Sequence, residues 1–106
     1  KISVTAVRVP VVRGHSLAVW LECRRPITPA RARRLMTTAP GLVLSAPMSY
    51  PTPLSAGGKD PVFVGRLRQG VDARELCLWI VSDNLLKGAA LNSAQIAEEL
   101  LRRRWL

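Results

Sequence analysis

Glu75-Leu-Cys-Leu-Trp-Ile-Val-Ser82 is the stretch on which the fold turns. Leu76, Leu78 and Ile80 alternate with Cys77, Trp79 and Val81, so an extended chain here presents apolar side chains on both faces. A strand of that kind has to be covered on both sides, which makes it the central strand of a sheet with other layers packed against it.

The neighbouring segments order themselves around that strand. Before it, Val62 to Arg68 reads as a strand with Val62, Val64 and Leu67 apolar, and Gln69 to Arg74 turns the chain. Ala46 to Pro61 is loop-like, with Pro47, Pro51, Pro53, Gly57, Gly58 and Pro61. Each residue before a proline is pushed out of the helical region, so Tyr50-Pro-Thr-Pro53 is expected to be extended. A loop of this length in a small domain serves function or a partner surface. Leu42 to Leu44 is a short apolar strand. Thr28-Pro29 opens a helix, threonine as N-cap and proline in the first turn, that runs from about Pro29 to Thr38 and stops before Pro40-Gly41. Leu17 to Arg24 alternates as a strand, and so do residues 3–12, with Pro10 marking an edge, an end or a bulge. The short Arg13-Gly-His-Ser16 connection predicts that these two strands form an antiparallel hairpin.

After the central strand, Asp83-Asn84 closes it and a long helix is expected from about Leu86 to Arg103. Ala90, Ala94, Ala97 and Leu101 form its apolar stripe, and Arg102 to Arg104 suit the negative end of its dipole. Gly88 near its start permits close approach of another backbone or a ligand. The stripe is wider than this chain can cover. The predicted fold class is α+β, a mixed and largely antiparallel sheet covered by helices.

With 48% hydrophobic residues in 106, the chain is not disordered by composition, and its longest apolar runs are far short of a transmembrane helix. No signal-peptide pattern is present. The sequence enters its first predicted strand almost directly from Lys1, which points to a fragment or to one part of a processed protein. Cys23 and Cys77 are far apart with no metal-ligand spacing, and read as buried free thiols of a cytosolic protein. Cys23 as a nucleophile would need a base such as His15 beside it. Sixteen Lys and Arg against seven Asp and Glu give a net charge of +9, which raises nucleic-acid binding as a function class. The arginines are split among Arg24-Arg25, Arg31 to Arg34, Arg66 to Arg68 and Arg102 to Arg104. One Phe and one Tyr leave little for base stacking, so a nucleic-acid partner is disfavoured.

One stretch carries chemistry. Arg8-Val-Pro-Val-Val-Arg-Gly-His-Ser16 holds the only histidine of the chain, seven positions after an arginine. A guanidinium binds carboxylates or phosphates bidentately, and an imidazole moves protons at neutral pH. The pair suggests an anion site with a general acid/base, but on the residues alone a lone histidine in a strand-end turn is more often a surface or satisfied polar residue, and Arg8 fits a solvated edge strand equally well.

That stretch, Tyr50-Pro-Thr-Pro-Leu54, Gly58-Lys-Asp-Pro-Val-Phe-Val-Gly-Arg-Leu-Arg68 and Asp83-Asn-Leu-Leu-Lys-Gly-Ala-Ala-Leu-Asn92 stand in the order found in bacterial aspartate-semialdehyde dehydrogenases, and Gln95-Ile-Ala-Glu-Glu-Leu100 matches as well. The chain resembles the C-terminal portion of such an enzyme over nearly its whole length. The resemblance implies a share in a larger two-domain dehydrogenase that reduces L-aspartyl 4-phosphate to aspartate 4-semialdehyde with NADPH, on the route to lysine, threonine and methionine. It implies His15 as the catalytic acid/base, Arg8 as the ligand of the substrate carboxylate and Asn84 as a contact to the cofactor. It implies residues 1–83 as a portion of the catalytic and dimerisation domain, and 84–106 as a helix packing on a nucleotide-binding domain absent from this chain. A homodimer follows, with an N-terminal portion or second chain to complete it. The family's Gly-rich nucleotide motif and Asn-Cys nucleophile are not in these residues, and Ser55 stands where many members carry an acid. The chain alone is therefore expected to be inactive, and a non-catalytic dimerisation module is the alternative reading, ahead of a small basic nucleic-acid-binding domain.

Overall fold

The computed structural model describes residues 2–105; Lys1, from which the first segment was read, and Leu106 lie outside the described residues. The stretch from Glu75 to Ser82 is a strand as predicted, here β4, with Leu76, Cys77, Leu78 and Val81 buried. The other strands are β1 (His15–Glu22), β2 (Leu42–Leu44) and β3 (Val62–Gln69), in the order β1-β4-β3-β2. β4 runs antiparallel to both β1 and β3, and β2 runs parallel to β3. The sheet is mixed and largely antiparallel, as its residues predict.

Helix α1 (Pro29–Thr37) starts where expected: Thr28 accepts from the Arg31 N–H at 3.2 Å through Oγ1, and Pro29 fills the first turn. It packs against β2 and β3. Helix α2 (Pro53–Ala56) lies inside the segment read as loop. Thr52 and Ser55 make a reciprocal capping box, Ser55 N–H to Thr52 Oγ1 at 3.2 Å and Thr52 N–H to Ser55 Oγ at 2.9 Å. Ser in place of Glu or Gln at the third position kept that box out of the sequence reading. Before α2, Ser45, Tyr50 and Pro51 press on the sheet at Gly65, and residues 46–49 form an exposed turn between them. A Cβ on the buried Gly65 would meet Pro51 Cδ at 2.6 Å, and Trp79 donates its Nε1–H to the Pro51 carbonyl at 2.9 Å. Between Gly65 and Arg68 the β3–β4 register shifts at a bulge, where Arg66 takes a φ of 52°.

Two expectations are corrected. Residues 3–12 are not a strand, and no hairpin crosses Arg13-Gly14. The second strand begins at His15, not Leu17, and its partner is β4, with His15 opposite Ser82 and Glu22 opposite Glu75. The physical reason lies in the turn. Gly14 has a φ of +115°, and its N–H leaves the strand direction to bond Asn84, so the incoming chain swings away from β1. Pro10 lacks an N–H for any ladder. Residues 2–13 are consequently exposed throughout. The long C-terminal helix also differs. Leu86–Ala90 is a π-turn with i to i+5 bonds, and the regular helix, α3, spans Leu91–Arg102 with no buried residue. No helix among the described residues is long and apolar enough to cross a membrane.

Candidate active site

The site grows from one carboxylate. Asp83 follows β4 directly and is fully buried, so its charge needs partners. Its Oδ2 accepts the Gly58 N–H at 2.7 Å and pairs with Arg13 Nη2 at 2.5 Å. Its Oδ1 accepts the Leu85 and Leu86 N–H groups at 2.8 and 3.0 Å. The Gly58 N–H, with those of Leu86 and Leu85 and the Arg13 charge behind it, holds the carboxyl down to about 2; burial acts in the other direction and is outweighed.

Asn84 continues the arrangement, accepting the Gly14 N–H through Oδ1 at 2.7 Å. Gly14 is required twice over: its φ is +115°, and a Cβ there would lie 3.0 Å from Pro53 Cβ. The next residue is His15. Its imidazole lies against Gly88, where a Cβ would be 3.1 Å from His15 Cδ2 and 3.4 Å from Nε2. His15 itself is exposed. A strand entry pinned on one side by Asn84 and on the other by the π-turn thus presents an imidazole to solvent.

All four motifs quoted above meet here, through Arg13 and Gly14, Pro53, Gly58, and Asp83 with Asn84. His15 and Asn84 are brought together. Arg8 is not: it is exposed in the irregular 2–13 segment, and no hydrogen bond or ion pair fixes it among the described residues. A concavity of about 510 Å³ opens beside the Arg13–Asp83 pair, lined by residues 10–13, Pro53, Leu54, Gly57 and Gly58, and includes neither Arg8 nor His15. Arg13 and Asp83 were missed as site residues, and Gly88 was read only as permitting a close approach, without the ring it faces. The signal for Asp83 was present, since an acid directly after a strand apolar on both faces enters the interior and has to be paired.

No cysteine of this chain serves His15. Cys23, expected to be buried, is only half-buried because it lies beyond the far end of the edge strand β1, and eight extended residues put it about 26 Å away. Cys77 is buried opposite Trp20. The basic clusters are also dispersed: Arg33 reaches the Ser45 carbonyl, Arg74 pairs with Glu22, and Arg102 and Arg103 grip Glu99, holding that carboxyl at about 2.

An antiparallel-rich sheet whose central strand ends in a buried acid beside an exposed histidine places the chain in a class. Residues 1–87 match the family described as semialdehyde dehydrogenase, dimerisation domain, and the chain belongs to that family. Among curated relatives it is 45% identical over 106 residues to the aspartate-semialdehyde dehydrogenase of Aquifex aeolicus, covering 96% of this chain and 31% of the relative. It is 52% identical over 103 residues to that of Legionella pneumophila, covering 92% and 30%. It is also 47% identical over 105 residues to the USG-1 protein homolog of Azotobacter vinelandii, covering 97% and 31%. The crystal structure of aspartate semialdehyde dehydrogenase II from Vibrio cholerae, complexed with ASA, superposes with a TM-score of 0.83 at 43% identity, over 90% of this chain and 29% of that one. The chain spans about 30% of the length of the curated relatives it matches.

Proposed function

We propose that the complete polypeptide carrying this chain is an NADP-dependent, homodimeric aspartate-semialdehyde dehydrogenase of the cytoplasm, reducing L-aspartyl 4-phosphate to aspartate 4-semialdehyde, and that this chain supplies its acid/base and part of its dimer interface. The observation that carries the reading is the convergence of four separate motifs on the entry of β1, where His15 stands beside Asn84. Relatives that bear the name support it, and edge strand β1, which exposes Leu17, Trp20 and Leu21, supports the dimer.

In this reading His15 takes the proton of a cysteine thiol supplied by the rest of the polypeptide. The thiolate attacks the acyl phosphate carbon, phosphate leaves and a thioester remains. A general base of this kind contributes because it is fixed before the substrate arrives, and the Gly14–Asn84 bond fixes the residue preceding His15. Arg8 closes on the substrate's α-carboxylate as a bidentate fork; its exposure leaves the guanidinium to be ordered by that anion. Asn84 fits the nicotinamide end of the cofactor, since Oδ1 is engaged by Gly14 and the amide Nδ2 is the donor it offers. When bound, NADPH supplies hydride to the thioester carbonyl. Residues 84–106 pack on the nucleotide-binding domain, consistent with an α3 that buries nothing here.

The test is His15→Asn in the complete enzyme. Phosphate-dependent turnover is expected to fall by about a hundredfold or more with the fold intact by circular dichroism. Undiminished turnover overturns the assignment. The second reading, a non-catalytic dimerisation module, draws on the relative named USG-1 protein homolog rather than dehydrogenase. It predicts a dimer that does not bind NADPH.

A further inference from the structure

We propose that Gly88 is a positioning residue for His15: the π-turn brings a residue without a side chain under the imidazole, and that missing side chain sets where the ring sits. The inference rests on His15 being the acid/base.

Gly88 has no backbone reason to be glycine. It does not take a positive φ, it is exposed, and it lies in a helical segment, where alanine is the better helix former. What it meets explains it. The nearest atoms to a Cβ at this position are His15 Cδ2 at 3.1 Å and Nε2 at 3.4 Å, then the Asp83 carbonyl at 3.5 Å. A methyl group there would press on the ring edge that carries Cδ2 and Nε2, and the ring would have to shift by a few tenths of an ångström.

The turn that brings Gly88 to the ring is itself held. Its N–H donates to the Asp83 carbonyl at 2.9 Å, five residues back, and Ala90 donates to Leu85 at 3.3 Å in the same pattern. Asp83 caps the turn through Oδ1, to Leu85 and Leu86, while Oδ2 grips Arg13, two residues before His15. One carboxylate therefore fixes both the ring's own strand entry and the surface under the ring. Wide turns of this kind occur inside helices mostly as single turns at functional sites. Here the widening moves a glycine, rather than a side chain, against the histidine.

Gly88→Ala in the complete enzyme tests this. The thermal midpoint is expected to stay level or rise. The kcat is expected to fall by about tenfold or more, with the KM of acyl phosphate and of NADPH each within about twofold. Gly88→Val is expected to fall further, following the size of the group under the ring. Unchanged kcat in Gly88→Ala overturns the inference, and so does a loss that tracks a lowered midpoint or raised KM. The two readings separate cleanly. Turnover retained in His15→Asn removes the acid/base assignment itself, whereas loss in His15→Asn with full kcat in Gly88→Ala removes only the role of Gly88.

Discussion

Strands β1 and β4 share one antiparallel ladder of eight residue pairs, yet they are opposite in burial. In β4 Leu76, Cys77, Leu78, Val81 and Ser82 are buried; in β1 no residue is. Leu76 is 2% exposed and Leu21, directly opposite it, is 40%. Sharing a ladder therefore does not make two strands equally buried. The difference comes from the layers: β4 has a strand on either side and α2 against it, while β1 has one neighbour and is set in place at its entry, through Gly14 and Asn84. β4 holds the fold, and β1 presents the exposed His15, the proposed acid/base, at its first residue.

The most direct way to break that comparison is a pair of truncations in the complete protein, read by urea unfolding. Leu76→Ala is expected to cost about 2–5 kcal/mol, because it opens a cavity in packed surroundings. Leu21→Ala is expected to cost about 1 kcal/mol or less, as it removes contacts already open to water. Equal losses would mean that β1 is covered as β4 is, and a concentration-dependent loss in Leu21→Ala alone would locate the dimer contact on β1. Next in size is Gly14→Ala. An L side chain at a φ of +115°, pressed on Pro53, is expected to cost about 1–3 kcal/mol and to loosen β1 before β4 in hydrogen exchange.

Acid sharpens the comparison at the other strand's end. Asp83 titrates at about 2 in the folded state against an ordinary value of 3.8. Its folded pKa is depressed, so its contribution is complete above the unfolded value and is lost as pH falls from about 4 towards 2. Amide exchange at His15 and Gly88 is expected to accelerate in that window before exchange in β4 does, and Asp83→Asn is expected to remove the pH dependence. The smallest effect is expected from Val12→Ser, within about 0.5 kcal/mol, because Val12 is fully exposed. A larger loss would mean that residues 2–13 belong to a layer after all.

Local pattern carried the elements whose cause is local. β4, β3, β2 and α1 follow from alternation, from Thr28-Pro29 and from Pro40-Gly41. The first strand was misread because Val7, Val9 and Val11 alternate without any partner being available to them, and alternation says nothing about pairing. The partner of β1 lies at the other end of the chain, His15 to Ser82, which no window along the sequence reveals. The site divides in the same way. His15 stood out as the sole histidine, and Asn84 entered through the motif it belongs to. Arg13 and Asp83 were each visible as residues, but their pairing is a tertiary event, and the significance of Gly88 depends on which ring it faces.

The Gly14–Asn84 bond spans 70 positions of sequence. A ribosome delivers His15 long before it delivers the residues that hold and floor its ring. During synthesis the histidine waits on a strand without its neighbour, because β4 and the π-turn are still to come. Closing so long a loop is slow compared with forming a helix, so His15 is set in place only once β4 and the π-turn have emerged and docked. A growing chain halted before Gly88 would carry the histidine without a place to put it.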